Sequence, residues 1–354
     1  MDPSALQGPE ATPLGNEAAF DGGVEQVGDR CFAWIQPNGD LGESNAGLIL
    51  GEGESALVDT LWDERLTRRM LDELAGVRVG APIRTLVNTH GDGDHWYGNA
   101  LLGGSEIVAT SAAIEQMREE PPSMLTRMRP LPGIASRLSG VPLVPAKAKL
   151  RGLAAFGDAL ASYEFAGLDP RLPGRAFDGE LLLDIGGRRV ELIEVGPAHT
   201  PGDALVWVPD ARVVYAGDIV FSGVTPIMWA GPVSNWIAAL DRIAGLEPTA
   251  VVGGHGPVCD LGRVEELRCY WQYRARHVPE GAGDAVVELT EELVLGAEYQ
   301  TSPWGQWRGA ERTLVNVAMI ARERDGEAGP VGVGKRIGLL AEMGALRERL
   351  DQAA

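Results

Sequence analysis

Lysine, histidine and cysteine are all scarce in this chain of 354 residues, with three lysines, five histidines and three cysteines. The cysteines, Cys31, Cys259 and Cys269, are an odd number at scattered spacings. They form no disulfide framework and no CxxC pair, and they are too few to hold an iron–sulfur cluster. We expect buried, unreactive thiols in a reducing compartment. Cationic side chains are also in deficit, with 31 Lys plus Arg against 50 Asp plus Glu and a net charge of -19. Such a chain repels nucleic acid and anionic membrane before any local contact forms, so neither is an expected partner. No apolar run approaches the ~20 residues of a membrane-spanning helix. Residues 1–15 lack the basic and apolar segments of a secretory signal, which makes the cytoplasm the expected location. A GxSxG elbow is absent, so no serine nucleophile is suggested.

What is present is an ordinary globular composition on a chain long enough for two domains, or one large domain with additions. Residues 1–27, rich in Gly, Pro, Ala and acids, read as a flexible arm. Short β-rich runs follow at 31–36, 46–50 and 56–59, punctuated by Gly and Asp as hairpins are. Leu66, Met70, Leu71 and Leu74 recur at helical spacing within 62–74. Strand patterns at 83–88 and 107–109 and a helix from 111 complete the first half. Residues 119–178 are dense in Pro, Arg and Met and sustain no strand pattern. They read as a partly helical insertion, either a lid over a site or a surface excursion. Strands resume at 180–185, 188–195, 204–208 and 212–216, with a helix at 235–244 and a short strand at 250–252. Beyond 262 helices dominate. The order predicts two αβ halves packed sheet against sheet, helices outside. The expected divisions are the arm, a domain at 28–262 carrying the insertion, and a helical extension at 263–354.

The histidines carry the strongest signal. His90, His95, His199 and His255 each follow a predicted strand in a Gly- or Pro-flanked turn, while His277 falls in a predicted helix and reads as a surface residue. Acids accompany them. The loop at 89–95 contains His90, Asp92, Asp94 and His95, and Asp218 follows the strand pattern ending at Ala216. Imidazole with carboxylate suits zinc, iron or manganese better than calcium or magnesium. Gly91 and Gly93 are expected to let the loop curl so that alternate side chains converge.

These segments, with Ala198 to Asp203, Ala216-Gly217-Asp218, Gly253 to Gly256 and Asp59 at the end of a strand run, resemble the successive motifs of the metallo-β-lactamase superfamily. The resemblance runs from about residue 30 to 260. It implies an α/β fold, an αββα sandwich with two divalent metal ions at one sheet edge. In it His90 and His199 resemble ligands of a first metal. Asp94, His95 and His255 resemble ligands of a second, and Asp218 resembles the bridging carboxylate. Asp59 resembles a buried acid supporting the ligand loop from behind.

One position departs from the usual His-x-His-x-Asp-His, because Asp92 stands where the second His would be. The first site then has two imidazoles, a terminal carboxylate and the bridge. The added negative charge favours a harder ion, so iron or manganese competes better with zinc, and it weakens the pull on bound water. Diiron oxidoreductases of the superfamily also carry an acid here. The expected function is a metal-dependent hydrolase, in which a metal-bound hydroxide cleaves an ester, thioester, lactone or related bond. Asp94 or Asp92 would position the attacking water. A non-heme diiron oxygenase or oxidoreductase is the alternative, and a degenerate scaffold the third reading. Zinc is the first choice of metal.

Candidate walls of the substrate cleft are Trp96, Tyr97, Phe221 and Trp229, with Met124 and Met128 from the insertion, which would suit a small apolar or aromatic molecule. Trp304, Trp307 and Arg308 cluster ahead of a helix at 310–324. The extension is expected to pack on the core, with homodimerisation through its helices or a part in the cleft wall as further expectations.

Overall fold

Alternation along the strands sets the architecture. β2 (Cys31–Ile35) turns Cys31, Ala33 and Ile35 to one side and Trp34 to the other. β3 (Ala46–Leu50) separates Ile49 from Leu48, and β4 (Ser55–Val58) separates Ala56 and Val58 from Leu57. This is the period of two that lets a sheet bury both faces against different partners. The computed structural model describes residues 11–128, 130–139, 147–327 and 329–353. Its first sheet runs in the order β1 (Gly23–Gly28), β2, β3, β4, β5 (Ile83–Val87), β6 (Glu106–Thr110), β7 (Arg175–Phe177). Pairing is antiparallel up to β4 and parallel from there on.

The second sheet is assembled from β8 (Glu180–Ile185), β9 (Arg188–Glu194), β10 (Ala204–Val208), β11 (Val213–Phe221) and β12 (Ala250–His255). Its order is β12-β11-β10-β9-β8, and only β11 and β12 pair in parallel. Val190, Leu192, Val206, Val208 and Tyr215 face the inner side of the first sheet across a shared apolar layer. Tyr215 crosses that layer above Gly47, where a Cβ would meet its ring at 2.3 Å. Its hydroxyl donates to the Phe32 carbonyl at 3.1 Å.

Helices cover both outer faces. α1 (Glu64–Leu74) starts at Asp63, whose carboxylate accepts from the Leu66 N–H at 2.7 Å, and buries Leu66, Met70 and Leu74 against the first sheet. α2 (Ser111–Glu119) is capped by Thr110. On the other face lie α6 (Val233–Leu246), α7 (Leu261–His277), α8 (Val286–Leu295), α9 (Ala297–Gln300) and α10 (Thr313–Arg324). The result is the expected αββα sandwich. Trp304 and Trp307 belong to its second outer layer, so the extension shares the core of the domain.

Two strands correct the sequence reading. β1 occupies the last residues assigned to a loose arm, because its backbone pairs with β2 although its side chains are only partly covered. β7 lies inside the span assigned to the insertion, too short to show a period yet paired in parallel with β6. Between them the insertion is helical: α3 (Pro122–Met128), α4 (Pro130–Ser139) and α5 (Lys147–Ala161). α5 packs on the last helix, α11 (Val333–Ala353). Their backbones nearly touch, since a Cβ on Gly344 would lie 2.5 Å from the Gly152 Cα. Arg151 pairs with Glu348 at 2.8 Å and Lys149 with Glu342 alongside the crossing.

Candidate metal centre

β5 ends at Val87 and delivers the chain into the ligand loop, which closes as a short 3₁₀ turn at Gly93–His95. One buried carboxylate organises it. Asp59 holds a left-handed backbone, φ 63°, just beyond β4. Its Oδ1 accepts from the Thr89 N–H at 2.7 Å, and its Oδ2 accepts from the Thr89 hydroxyl at 2.7 Å and from His95 Nδ1 at 3.0 Å. Thr89 has then given away its only hydroxyl proton, so at 2.9 Å its oxygen accepts from His90 Nδ1. His199 Nδ1 donates to the Ile227 carbonyl at 2.7 Å. All three rings therefore carry the proton on Nδ1 and present a bare Nε2. His255 is oriented differently, stacked on Phe221 with ring centroids 5.1 Å apart.

The structure brings all seven predicted ligand residues to one place. His90, Asp92 and His199 form one group with ligand atoms within 4.8 Å of each other, and Asp94, His95 and His255 form another. Asp218 stands between them. Its Oδ1 is 3.1 Å from His95 Nε2, and its Oδ2 is 3.3 Å from His199 Nε2, 3.5 Å from His255 Nε2 and 4.0 Å from His90 Nε2. Asp94 Oδ2 lies 3.4 Å from His255 Nε2, and Asp92 Oδ2 lies 3.1 Å from His199 Nε2.

Asp218 and His255 sit inside strands rather than beyond them. β11 and β12 are irregularly paired around Gly217, whose φ of 49° turns the next residue toward the site. Gly254 leaves room for that carboxylate, since a Cβ there would lie 1.8 Å from Asp218 Oδ1. Gly91 and Gly93 act likewise by close approach and not by a left-handed curl. A Cβ on either would lie 2.6 Å from Gln116 Oε1 or the Tyr97 ring respectively, and neither has positive φ.

Other contributors carry no motif signal. Gln116 on α2 donates to Asp92 Oδ1 at 2.7 Å. Asp203 accepts from the Ala198 and Thr200 amides at 3.0–3.1 Å and so shapes the turn that presents His199. Asn316 on α10 grips the segment around Ile227, donating to the Pro226 carbonyl and accepting from the Met228 N–H, both at 2.9 Å.

The electrostatics call for positive charge. Burial pushes the Asp218 carboxyl up, yet His255, His95 and His199 hold it well below its usual range. Burial opposes ionisation of Asp92 too, and His199 and Arg336 overcome it. Against their own burial, His199 is raised to about 9 by Asp218 and Asp92, and His95 is raised well above the ordinary imidazole range by Asp218 and Asp94. His90 is lowered to about 3 by burial and the neighbouring His95. Among the described residues, His90, His95 and His199 Nε2 and Asp218 Oδ1 are buried without hydrogen-bond partners. Imidazole nitrogens that face ionised carboxylates without a hydrogen bond are costly unless a proton or a metal cation joins them. The donor set thus fits two divalent metal ions, bound with release of the protons the imidazoles otherwise take up.

The site forms the floor of a cavity of about 570 Å³. Its roof is α5 with α11, which contribute Phe156, Ile337 and Met343, and its sides include Leu41 and Met124. Phe221, Trp229 and Tyr97 line it, the last with its hydroxyl donated to the Glu120 carbonyl at 3.1 Å. Trp96 does not line it. That ring is buried in the core beneath the first sheet, with its indole N–H on the Gly91 carbonyl at 3.1 Å, because its side chain points away from the ligands on either side. The Met128 side chain lies outside the described residues. Of the extension, Glu311, Arg312 and the α11 face reach the cavity, whereas Trp304, Trp307 and Arg308 do not. Glu120, on the wall, is pushed up to about 7 chiefly by burial. His277 is half-buried against Tyr273. Cys31 is buried, and Cys259 and Cys269 are only partly so. No helix among the described residues is long and apolar enough to cross a membrane.

The 2,4-dinitroanisole O-demethylase subunit alpha of Nocardioides sp. (strain JS1661) is 35% identical over 94 residues, 25% of this chain and 27% of that protein. A beta-lactamase-like protein 2 homolog from Caenorhabditis elegans is 26% identical over 141 residues, 39% and 45% of the two chains. The chain thus spans less than half the length of either curated relative. A sec-alkylsulfatase from Pseudomonas sp. superposes with a TM-score of 0.59 at 16% identity, over 86% of this chain and 50% of that one. A metallo-beta-lactamase family protein from Thermus thermophilus superposes at 0.50 with 21% identity, over 88% and 89%. These two show the fold. The metallo-β-lactamase superfamily model matches residues 39–255, from the loop ahead of β3 through every ligand to His255. With most of its length and all seven candidate ligands inside that match, this chain belongs to the metallo-β-lactamase superfamily, a hydrolase-type fold whose members are mostly metallo-hydrolases.

Proposed function

We propose that the protein is a metal-dependent hydrolase of a small molecule whose apolar part fills the cavity while an ester-type bond meets the ligands on its floor. The observation that carries this reading is the placement of bare, converging Nε2 atoms beneath an apolar, helix-roofed chamber. His90, Asp92 and His199 would hold one ion, Asp94, His95 and His255 the other, with Asp218 between. Bound divalent ions, zinc first, would acidify water and polarise the substrate oxygen.

The chain supplies the rest. Asp92 has one oxygen on Gln116 and the other at His199, whereas Asp94 turns only Oδ2 toward His95 and His255, so its other oxygen would position the attacking water. Trp229, Phe156 and Met124 would grip the apolar part, and the α5–α11 roof would exclude bulk water. Esters, thioesters, lactones and sulfate esters of apolar alcohols all suit this chamber. The second reading, an iron oxidoreductase, draws on Asp92, whose carboxylate favours a harder ion.

The test is elemental analysis of protein purified without added metal, followed by a panel of aryl and alkyl esters, thioesters, lactones, alkyl sulfates and aryl methyl ethers. Two zinc per chain and hydrolysis abolished by Asp218→Ala support the proposal. Two iron with O₂ consumption would move the assignment to the oxidoreductase, and neither metal nor turnover would leave a scaffold.

A further inference from the structure

Asp92 brings a negative charge to a ligand position that the family's usual loop fills with a neutral imidazole. We propose that Arg336, on α11 in the helical extension, is a positioning residue that offsets this charge and holds Asp92 ready as a metal ligand. The inference rests on the metal-binding reading and extends it outside the span that the family match covers.

Arg336 Nη1 lies 3.9 Å from Asp92 Oδ1 and 3.1 Å from Glu120 Oε2. Its guanidinium carbon sits 5.2 Å from the centre of the Trp229 ring, and its Nε donates to the Val331 carbonyl at 3.2 Å. The side chain is only 12% exposed, so these charges interact with little screening by water. Val331 N–H in turn donates to the Trp229 carbonyl at 3.3 Å, and Trp229 N–H donates to the His199 carbonyl at 2.9 Å. The guanidinium is therefore fixed to the same backbone that presents His199, the partner of Asp92 in its ligand group. Gln116 takes Asp92 Oδ1 at 2.7 Å, so hydrogen bond and cation act on the same oxygen and leave Oδ2 facing His199.

The other arginines lining the cavity are engaged elsewhere. Arg312 reaches the Gly39 and Thr225 carbonyls and Asp40, and Arg347 faces Glu311. Of these three, only Arg336 approaches one of the candidate ligand carboxylates. Taken as a pair, Asp92 and Arg336 sum to zero charge, as a histidine at position 92 would, while Arg336 also shares its charge with Glu120, its hydrogen-bond partner at 3.1 Å. The charge argument for a harder ion, made from the loop alone, is thereby weakened by a residue 244 positions further along the chain.

The test uses the full chain with zinc as the probe. Zinc per chain and affinity, by chelator competition, are measured for Arg336→Gln and Arg336→Lys, each in the wild-type and the Asp92→His background. In the wild-type background Arg336→Gln should weaken one of two zinc ions ~10–100-fold, the usual cost of losing a group behind a ligand. Arg336→Lys should recover most of that affinity, since it keeps the charge. In the Asp92→His background Arg336→Gln should change the affinity less than ~3-fold, against the ~10–100-fold loss otherwise expected. An equal loss in both backgrounds would overturn the proposal, because Arg336 would then merely build the extension. No loss in the wild-type background would overturn it as well. A wild-type chain that binds no zinc would sink the metal-binding reading itself, a result separable from the other two. Should Arg336→Gln not fold, Arg336→Met in the two backgrounds carries the same comparison, since it too removes the charge, with an equal loss in both again overturning the idea.

Discussion

Replacing Asp59 by Asn should strip metal without moving a ligand residue. Asp59 is 2% exposed and accepts three hydrogen bonds, two on Oδ2 and one on Oδ1. An amide has one oxygen. If that oxygen keeps the Thr89 N–H, the amide NH₂ faces the Thr89 hydroxyl and His95 Nδ1. A donor facing Nδ1 favours the tautomer protonated on Nε2, which cannot bind a cation. The hydroxyl, no longer donating to Asp59, is free to donate to His90 Nδ1 and flip that ring too. One substitution therefore reaches a histidine in each ligand group. The backbone is not a confounder, since Asn tolerates the left-handed φ of 63° as Asp does. The expected loss is ~10–100-fold in zinc affinity, or about 1.4–2.8 kcal/mol at 1.4 kcal/mol per tenfold. A folding cost of about 1.5–3 kcal/mol accompanies it, from weakening a charge-assisted hydrogen bond. Chelator competition measures the first, denaturant unfolding of metal-free protein the second, and ¹⁵N spectra of the imidazoles report the tautomers. Unaltered zinc affinity with His95 still protonated on Nδ1 would refute the reasoning.

Three further outcomes are expected. Gly344→Leu places a side chain where the Gly152 backbone lies 2.5 Å away, so it should cost about 1–3 kcal/mol and open the roof. Thermal melts check the cost, and turnover of bulky apolar substrates should fall more than that of small ones; an unchanged melt would mean that α5 and α11 do not pack in solution. Stripping metal with a chelator should lower the melting temperature, and adding zinc back at 100 times its Kd should restore about 2.7 kcal/mol; a melt indifferent to zinc would contradict a native-state metal site. Iodoacetamide at pH 8 should modify partly exposed Cys269 first and spare Cys31, which is fully buried with its thiol pushed up to about 11 chiefly by burial, until denaturant is added. Mass spectrometry of the labelled peptides would show the order, and early labelling of Cys31 would count against its packing between the sheets.

The sandwich was legible because its strands are short, nearly continuous apolar runs. Runs such as 31–36, 46–50 and 204–208, bounded by turn residues, read as strands buried on both faces from local composition alone. The convergence of the candidate ligands was legible because histidine is rare here and clusters at strand ends beside acids. β1 and β7 were not, because a short edge strand is made by its neighbour's hydrogen bonds and not by its own side chains. Trp96 could not be told from a cleft residue, since which way a ring turns beside a ligand loop depends on what packs beneath it. Gln116, Arg336 and Asn316 show no motif either, because each acts across a contact between segments far apart in sequence. The sequence by itself determined the fold and which side chains are candidate donors, since apolar patterning and ligand chemistry are local properties of the chain. The tertiary structure alone decided which tautomers the donors adopt, what charge surrounds Asp92, and that the insertion and the extension meet over the site. Those depend on desolvation and proximity, which exist only once distant segments have packed together.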